Sequence, residues 1–287
     1  MPGAFSLLQY ILPHHALSRF VGACAALRWR PAKNLLIGAF MRGYRPDLAD
    51  AAQPDPFAYP SFNAFFTRAL REGARPLAGG EDVAVSPVDG RVNQAGPIAA
   101  DRLLQAKGHD YTLEALLAGA APGWAGRFRN GAFATLYLAP INYHRIHMPA
   151  AGTLREAWYV PGRLFNVGLA ASRDIPGLFA RNERVVLLFD GAAGPFALIF
   201  VGALNVGSMD TVWHGNVAPR RPRRVQRLPL PEDRPLHLPR GAEAGRFNMG
   251  STVIVLFGPG QVELEPTLTT GEPIRMGTAL ARFTTPR

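Results

Sequence analysis

The stretch Met249-Gly250-Ser251-Thr252-Val253-Ile254-Val255-Leu256-Phe257 sets a Gly-Ser bond directly before an unbroken apolar run rich in β-branched residues. A run of this composition predicts a strand packed in the core, over Thr252–Phe257. The Gly250-Ser251 bond at its mouth reads in two ways. It is an ordinary turn, or it is a bond that the protein breaks in itself, which would make Ser251 the source of a cofactor.

Further β-rich runs lie upstream, at Val83–Val85, Ala132–Leu138, Arg184–Phe189 and Phe196–Ala203. The turn signals Asp89-Gly90 and Asp190-Gly191 punctuate them. Short helices are expected at Ser61–Arg71, which carries Phe62, Phe65 and Phe66, and at Leu113–Leu117. There is no fixed-period repeat and no alternating strand-helix rhythm of a parallel sheet. The chain has 287 residues, 48% of them hydrophobic, with 30 Gly and 26 Pro. That is enough for one large domain or two small ones, with many turns between short strands. The expected fold class is α+β: a mostly antiparallel β core with amphipathic N-terminal helices.

The net charge is +10, and it is unevenly placed. Residues 1–46 carry Arg19, Arg28, Arg30, Lys33, Arg42 and Arg45 and no acidic side chain. Removing those six from the 31 basic residues leaves 25 against 21 acidic ones in the rest of the chain. Leu7, Leu8, Ile11 and Leu12 form one apolar stripe, broken at Pro13. Leu17, Phe20, Val21, Cys24 and Leu27 form another at helical spacing, and Leu35, Leu36, Ala39 and Phe40 a third. The apolar stretch from Phe20 to Leu27 is well short of the roughly 20 residues that span a bilayer. Residues 1–50 are therefore read as a basic amphipathic membrane-association region lying in the interface, with Trp29 and the arginines at headgroup depth. The competing reading is that these helices only cap the core. Residues 51–61 read as a linker, so that 51–287 form the catalytic β-rich domain. Residues 220–234, rich in Arg and Pro, read as an exposed loop that either touches anionic lipid or is simply solvated.

Cys24 is the only cysteine, so an intramolecular disulfide is impossible and a cysteine-based metal site is effectively excluded. Lys33 and Lys107 are the only lysines, which leaves little provision for lysine Schiff-base chemistry.

Three segments carry candidate chemistry: Ser86-Pro87-Val88-Asp89-Gly90-Arg91-Val92, Tyr143-His144-Arg145-Ile146-His147-Met148-Pro149 and Gly250-Ser251-Thr252. Singly, each has an ordinary reading: a hairpin turn, surface histidines after a strand, a bulge. The histidine spacing alone is weak grounds for a metal, because no acidic residue lies within that segment. Together they supply a hydroxyl, an imidazole to accept its proton and a carboxylate to orient the imidazole. The surroundings of Ser251 do not form the G-x-S-x-G elbow, which disfavours an ordinary hydrolase.

The chain resembles the short, membrane-associated bacterial phosphatidylserine decarboxylase proenzymes (prokaryotic type I) almost end to end. The resemblance runs from Leu8-Gln9-Tyr10-Ile11-Leu12-Pro13 through Phe62-Asn63-Ala64-Phe65-Phe66 and Ser86-Pro87-Val88-Asp89-Gly90. It continues through Gln105-Ala106-Lys107-Gly108-His109, Leu113–Leu117 and Tyr143–Pro149, then Phe179–Arg184 and Gly250–Phe257. It implies self-cleavage at Gly250–Ser251 into a 1–250 large chain and a 251–287 small chain held together as a heterodimer, with further dimerisation left open. Asp89, His147 and Ser251 match the family's self-processing triad, with His147 as base and Asp89 orienting it. Ser251 would become a covalent pyruvoyl group (pyruvate as cofactor) that forms a Schiff base with the serine headgroup and accepts the electrons released with carbon dioxide. His144 matches a position near the substrate carboxylate that steers decarboxylation or reprotonation, and Lys107 and His109 are further pocket candidates. The implied substrate is phosphatidylserine, the product phosphatidylethanolamine, and the place of action the cytoplasmic face of the cell membrane, peripherally. No metal and no nucleic acid are implied.

Two other functions remain open on the residues alone: a membrane-associated serine hydrolase that keeps its chain intact, and a non-catalytic protein that binds anionic lipid. Gly207-Ser208 is the one other Gly-Ser pair and competes with Gly250-Ser251 as a cleavage site.

Overall fold

All seven residues of Ser251–Phe257 are buried, and they form an inner strand of a nine-stranded antiparallel sheet. A strand with covered faces and neighbours on both edges needs apolar side chains throughout, which is why this run is continuous rather than alternating. The computed structural model describes residues 9–204, 208–218, 223–248 and 251–284.

The helices are α1 (His14–Ala26), α2 (Arg30–Tyr44), α3 (Phe62–Phe66), α4 (Leu113–Leu117), α5 (Trp124–Phe128), α6 (Leu169–Asp174) and α7 (Leu178–Arg181). The strands are β1 (Val83–Val85), β2 (Gly90–Pro97), β3 (Arg102–Ala106), β4 (His109–Thr112), β5 (Ala132–Leu138), β6 (Arg145–His147), β7 (Gly152–Val160), β8 (Arg184–Gly191) and β9 (Gly194–Gly202). They continue with β10 (Ser208–Thr211), β11 (Gly215–Ala218), β12 (Gln226–Arg227), β13 (His237–Leu238), β14 (Glu243–Asn248), β15 (Ser251–Phe257), β16 (Val262–Leu264), β17 (Pro273–Ile274) and β18 (Ala279–Phe283).

The large sheet runs β12-β7-β8-β9-β15-β5-β2-β17, with β13 also on β7. A four-stranded sheet, β11-β10-β14-β6, packs beside it, and β1-β18-β16 and β3-β4 form smaller sheets. The expected α+β class with an antiparallel core is what the chain adopts. One apolar core joins the strands. A second, smaller cluster ties α2 to α3 through Ile37, Phe40, Phe62, Phe65 and Phe66.

Several expected elements form with small changes of length. Val83–Val85, Ala132–Leu138 and Leu113–Leu117 keep their expected bounds, while Arg184–Phe189 extends through Asp190 and Gly191 and becomes a hairpin with β9. The turn is Ala192-Ala193 rather than the expected Asp190-Gly191, whose residues pair with Pro195 and Gly194. The helix expected over Ser61–Arg71 is one turn long. Ser61 Oγ accepts from Ala64 N to start it. At its end the Thr67 hydroxyl donates back to Asn63 O and the chain departs. Asp89-Gly90 is not a hairpin turn, because β1 pairs with β18 whereas β2 pairs with β5 and β17. The Arg- and Pro-rich segment is not wholly a loop either. Gln226 and Arg227 pair with Tyr159 and Trp158 at the sheet edge, and residues 219–222 lie outside the described residues.

α1 begins after Pro13, the break in the apolar stripes, and Leu7 and Leu8 lie outside the described residues. Lys33 does not join a basic face. It is buried, and its Nζ donates to Asn34 Oδ1 and to Phe57 O. No helix among the described residues is long and apolar enough to cross a membrane.

Candidate active site

The three candidate segments meet at one end of the large sheet. β15 starts there with Ser251, which pairs with Leu138 at the end of β5 on one side and with Gly202 at the end of β9 on the other. β2 starts there too, with Gly90 ahead of the Arg91–Tyr137 pair. A Cβ on Gly90 would stand 2.3 Å from the Tyr137 carbonyl oxygen, so only glycine allows β2 to lie this close to β5. Asp89 is thereby set two strands from Ser251, roughly 10 Å at the usual strand spacing. It is too far for direct contact and near enough for one side chain to bridge.

β6, carrying the second histidine, pairs with β14, and β14 feeds β15. The joining residues Met249 and Gly250 lie outside the described residues, so the scissile carbonyl itself is not placed. On its near side Asn248 is fixed by Asn63 Nδ2 on α3, which donates to Asn248 Oδ1 at 3.0 Å, and by its own amide, which donates to Ser208 Oγ at 2.5 Å.

Ser251 is 1% exposed, and its Oγ has no hydrogen-bond partner among the described residues. It faces a cavity of about 210 Å³ shared with Phe40 and Tyr44 of α2, Phe66 of α3, and Tyr137 and Pro140. Ser208, the serine of the competing pair, accepts the Asn248 amide instead, and Gly207 lies outside the described residues.

His144 is completely buried and stacks on Phe66, ring centroids 4.1 Å apart. Phe66 thus lies between the imidazole and the Ser251 cavity. Burial, aided by the charge of Arg68, pulls the His144 pKa down to about 3. The carbonyls of Pro140 and Ala139 pull the other way, though neither makes a well-formed hydrogen bond to the ring. His144 is therefore neutral at physiological pH, with nitrogen valence to spare.

His147 is held differently. Its Nδ1 lies 2.8 Å from Gly241 O, and a carbonyl only accepts, so the proton is on Nδ1. Nε2 is then the lone-pair nitrogen, and it accepts the Tyr143 hydroxyl at 2.9 Å. Burial holds the pKa of His147 below the ordinary histidine value and that of Tyr143 above the ordinary tyrosine value.

Asp89 is not hydrogen-bonded to His147. Arg75 grips it through Nε at 3.0 and 3.2 Å and Nη2 at 2.6 Å, and Met276 N donates to it at 2.8 Å. Arg75 also pairs with Asp50 at 2.7 Å. Two carboxylates on one guanidinium push the Arg75 pKa up. The Asp89 charge still reaches His147 and favours its protonated form. Asp89 lines one cavity with Arg75 and Tyr143, and Ser251 lines the one shared with Phe40, Tyr44 and Phe66. His144 and His147 line neither, and among the described residues no hydrogen bond links the expected triad. Lys107 and His109 lie elsewhere. Both belong to the β3-β4 hairpin, and Lys107 is exposed, with Nζ 4.0 Å from Asp174. Among the described residues no group of three or more His, Cys, Asp or Glu could hold a metal.

Sequence reasoning assigned nothing to Arg75, Phe66, Arg68 or Asn248, and gave Tyr143 no role of its own. Arg75 is 14 residues from Asp89 and Gly241 is 94 from His147, and no local pattern marks either pairing.

A family model described as phosphatidylserine decarboxylase matches residues 62–282. The chain belongs to the phosphatidylserine decarboxylase family. A second model, described as PSD, matches residues 4–45. Among similar proteins, each named phosphatidylserine decarboxylase proenzyme, one from Methylibium petroleiphilum is 52% identical over 275 residues. One from Pseudomonas fluorescens is 51% identical over 277, and one from Pseudomonas paraeruginosa is 51% identical over 278. Each comparison covers 96% of both chains. The family match therefore takes in the candidate site and most of the N-terminal helices as well.

Proposed function

We propose that this chain is the precursor of a carboxy-lyase that converts phosphatidylserine to phosphatidylethanolamine and makes its own cofactor from Ser251. The observation that carries this reading is the buried, unpartnered Ser251 Oγ at the start of an inner strand, one aromatic ring away from a neutral imidazole.

In self-cleavage Ser251 Oγ attacks the Gly250 carbonyl carbon, and Gly250–Ser251 becomes an ester. His147 Nε2 takes the hydroxyl proton once Tyr143 yields that nitrogen, while Nδ1–H stays on Gly241 O. Asp89 stabilises the resulting imidazolium through its field. Elimination across Cα–Cβ of Ser251 expels the Gly250 carboxylate, and hydrolysis with loss of ammonia leaves a pyruvoyl group at the new N-terminus.

That group fits the site, since Ser251 faces open space and has no hydrogen bond to give up among the described residues. When formed it supplies an electron sink for loss of carbon dioxide. Around it, Tyr137, Pro140 and Phe66 exclude water, and Phe66 has to move aside for His144 to return a proton at the carbon that loses carbon dioxide.

The 251–287 piece stays bound because β15 is paired on both edges and Val253 through Phe257 are fully buried. Each such side chain contributes about 1.5–3 kcal/mol. The product is then a heterodimer of the two chains. α1, α2 and the turn between them meet the membrane surface peripherally, at its cytoplasmic face. This is supported by exposed Phe20 (68%), Trp29 (71%) and Leu35 (71%), with Arg19, Arg28, Arg30 and Arg42 exposed beside them.

Two measurements on the purified protein test this. Intact mass should give two chains, the smaller starting at 251 with a blocked N-terminus. Phosphatidylserine vesicles should release carbon dioxide. A single uncut chain with no release removes the proposal and leaves a hydrolase or a lipid-binding protein.

A further inference from the structure

Two arginines of the core are buried to a similar degree and are treated in opposite ways. Arg184 is 1% exposed, and all three of its nitrogens are satisfied. Nε donates to Leu116 O, Nη1 to Ala180 O and Asn182 O, and Nη2 to Ala115 O. It is a structural cation. Arg68, just past the end of α3, is 3% exposed, and only Nη2 is engaged, with Ile141 O at 3.2 Å. Its Nε and Nη1 are buried and have no partner among the described residues, and its Cζ lies 5.7 Å from the Phe65 ring centre. A buried guanidinium left with open donors is costly, and folding does not favour it for its own sake.

The position of Arg68 says what would fill it. It lines a cavity of about 210 Å³ together with Asp89, Asn142 and Tyr143. The other arginine deep in that cavity, Arg75, is already committed to Asp89 and Asp50. Arg68 also acts electrostatically on His144, whose own ring nitrogens are open. His144 in turn stacks on Phe66, which faces Ser251. A ligand reacting at position 251 and extending past His144 would bring an anionic group to Arg68.

On the decarboxylase reading, on which this inference rests, the substrate offers two oxyanions. The first is the serine carboxylate. Pairing it with Arg68 would stabilise the ground state and be lost as charge leaves the carboxylate, raising the barrier to carbon dioxide release. The second is the phosphodiester, separated from the amine by only two carbons and an oxygen. Its charge is the same in substrate, transition state and product, so pairing with it costs the chemical step nothing and fixes the headgroup's orientation. We propose that Arg68 is the residue that binds the phosphodiester of the lipid headgroup, with guanidinium donors that the fold leaves open.

The test compares mature wild-type enzyme with Arg68→Gln and Arg68→Lys. With a short-chain phosphatidylserine, Arg68→Gln should raise KM about ten- to a hundredfold, the usual loss for a charge-assisted hydrogen bond, with kcat changed far less. The product, phosphatidylethanolamine, keeps the phosphodiester and lacks the carboxylate, so its inhibition constant should rise by the same factor. Arg68→Lys should recover part of both. If substrate binding weakens while product binding does not, Arg68 holds the carboxylate and the proposal fails. If neither changes, Arg68 is structural and it fails equally. Should Arg68→Gln not fold or process, wild-type enzyme decides alone: glycerophosphocholine, a phosphodiester without carboxylate or primary amine, should inhibit competitively, and absence of inhibition overturns the proposal. Carbon dioxide release by the wild type is read in the same assay, so failure of the decarboxylase reading is seen separately.

Discussion

The Tyr143 hydroxyl donates to Nε2 of His147 at 2.9 Å, and so occupies the nitrogen that the proposed self-cleavage assigns to the Ser251 proton. The other ring nitrogen is committed to Gly241 O. On that proposal the base of the uncut chain is covered, and cleavage would start with loss of one hydrogen bond, worth about 1 kcal/mol net. Tyr143→Phe should therefore process at least as fast as wild type, by up to about fivefold. Denaturing gels of freshly translated protein would follow this. If Tyr143→Phe stops cleavage, the hydroxyl relays the proton and His147 is not the direct acceptor.

Ser251→Ala and His147→Ala should both leave a full-length, inactive chain of unchanged backbone mass. Their stabilities should differ. Ser251 Oγ makes no hydrogen bond among the described residues, so its removal should cost little and relieve a buried hydroxyl. His147→Ala leaves Gly241 O and the Tyr143 hydroxyl without their partner, at about 1–3 kcal/mol. Urea unfolding of the two uncut chains should rank Ser251→Ala above His147→Ala; the reverse order would contradict the described contacts.

Arg75 is the clamp on Asp89, with both side chains about nine-tenths buried. Arg75→Gln strands the Asp89 carboxylate, while Asp50 keeps Arg71, and should lower stability by about 3 kcal/mol. Arg75→Lys keeps the charge, loses the bidentate fork and should fall between. Urea midpoints measured in the Ser251→Ala background check this without interference from cleavage. A change below about 0.5 kcal/mol would mean Asp89 does not need its partner.

Burial pulls the pKa of His14, His15, His144 and His147 in one direction, downward. For His144 the folded value is about 3 against 6.5 for the unfolded chain. Between these values the unfolded state binds the extra proton, so stability falls as pH drops below 6.5 and is level above it. The Ser251→Ala precursor should lose urea resistance steadily from pH 7 to pH 5. His144→Phe should flatten part of that slope. An unchanged midpoint over this range would show that these rings stay hydrated in the folded chain.

Phe20, Trp29 and Leu35 are exposed on the N-terminal helices and the turn between them, and none of them is part of either hydrophobic core. Replacing all three by Ser should weaken binding to anionic vesicles by at least tenfold with little effect on stability or cleavage. Sedimentation with vesicles measures the first, denaturing gels the last. Unchanged vesicle binding would place the membrane contact elsewhere.

What the sequence determined by itself is local or periodic. Thr252–Phe257 was readable as a core strand because a strand covered on both faces tolerates only apolar side chains. Ala132–Leu138 was readable for the same reason, and the family motifs marked Asp89, His144, His147 and Ser251 as candidate chemistry. The tertiary structure alone decided what those groups touch. Asp89-Gly90 carries a hairpin signal, yet its strand pairs with β5 and β17, because edge pairing is settled by which partner completes a buried face. Asp89 answers to Arg75 and Met276, His147 to Gly241, and His144 to Phe66. Each of these contacts joins separate elements of the fold. A side chain's partner there depends on how sheets and helices pack, and no short-range propensity encodes it.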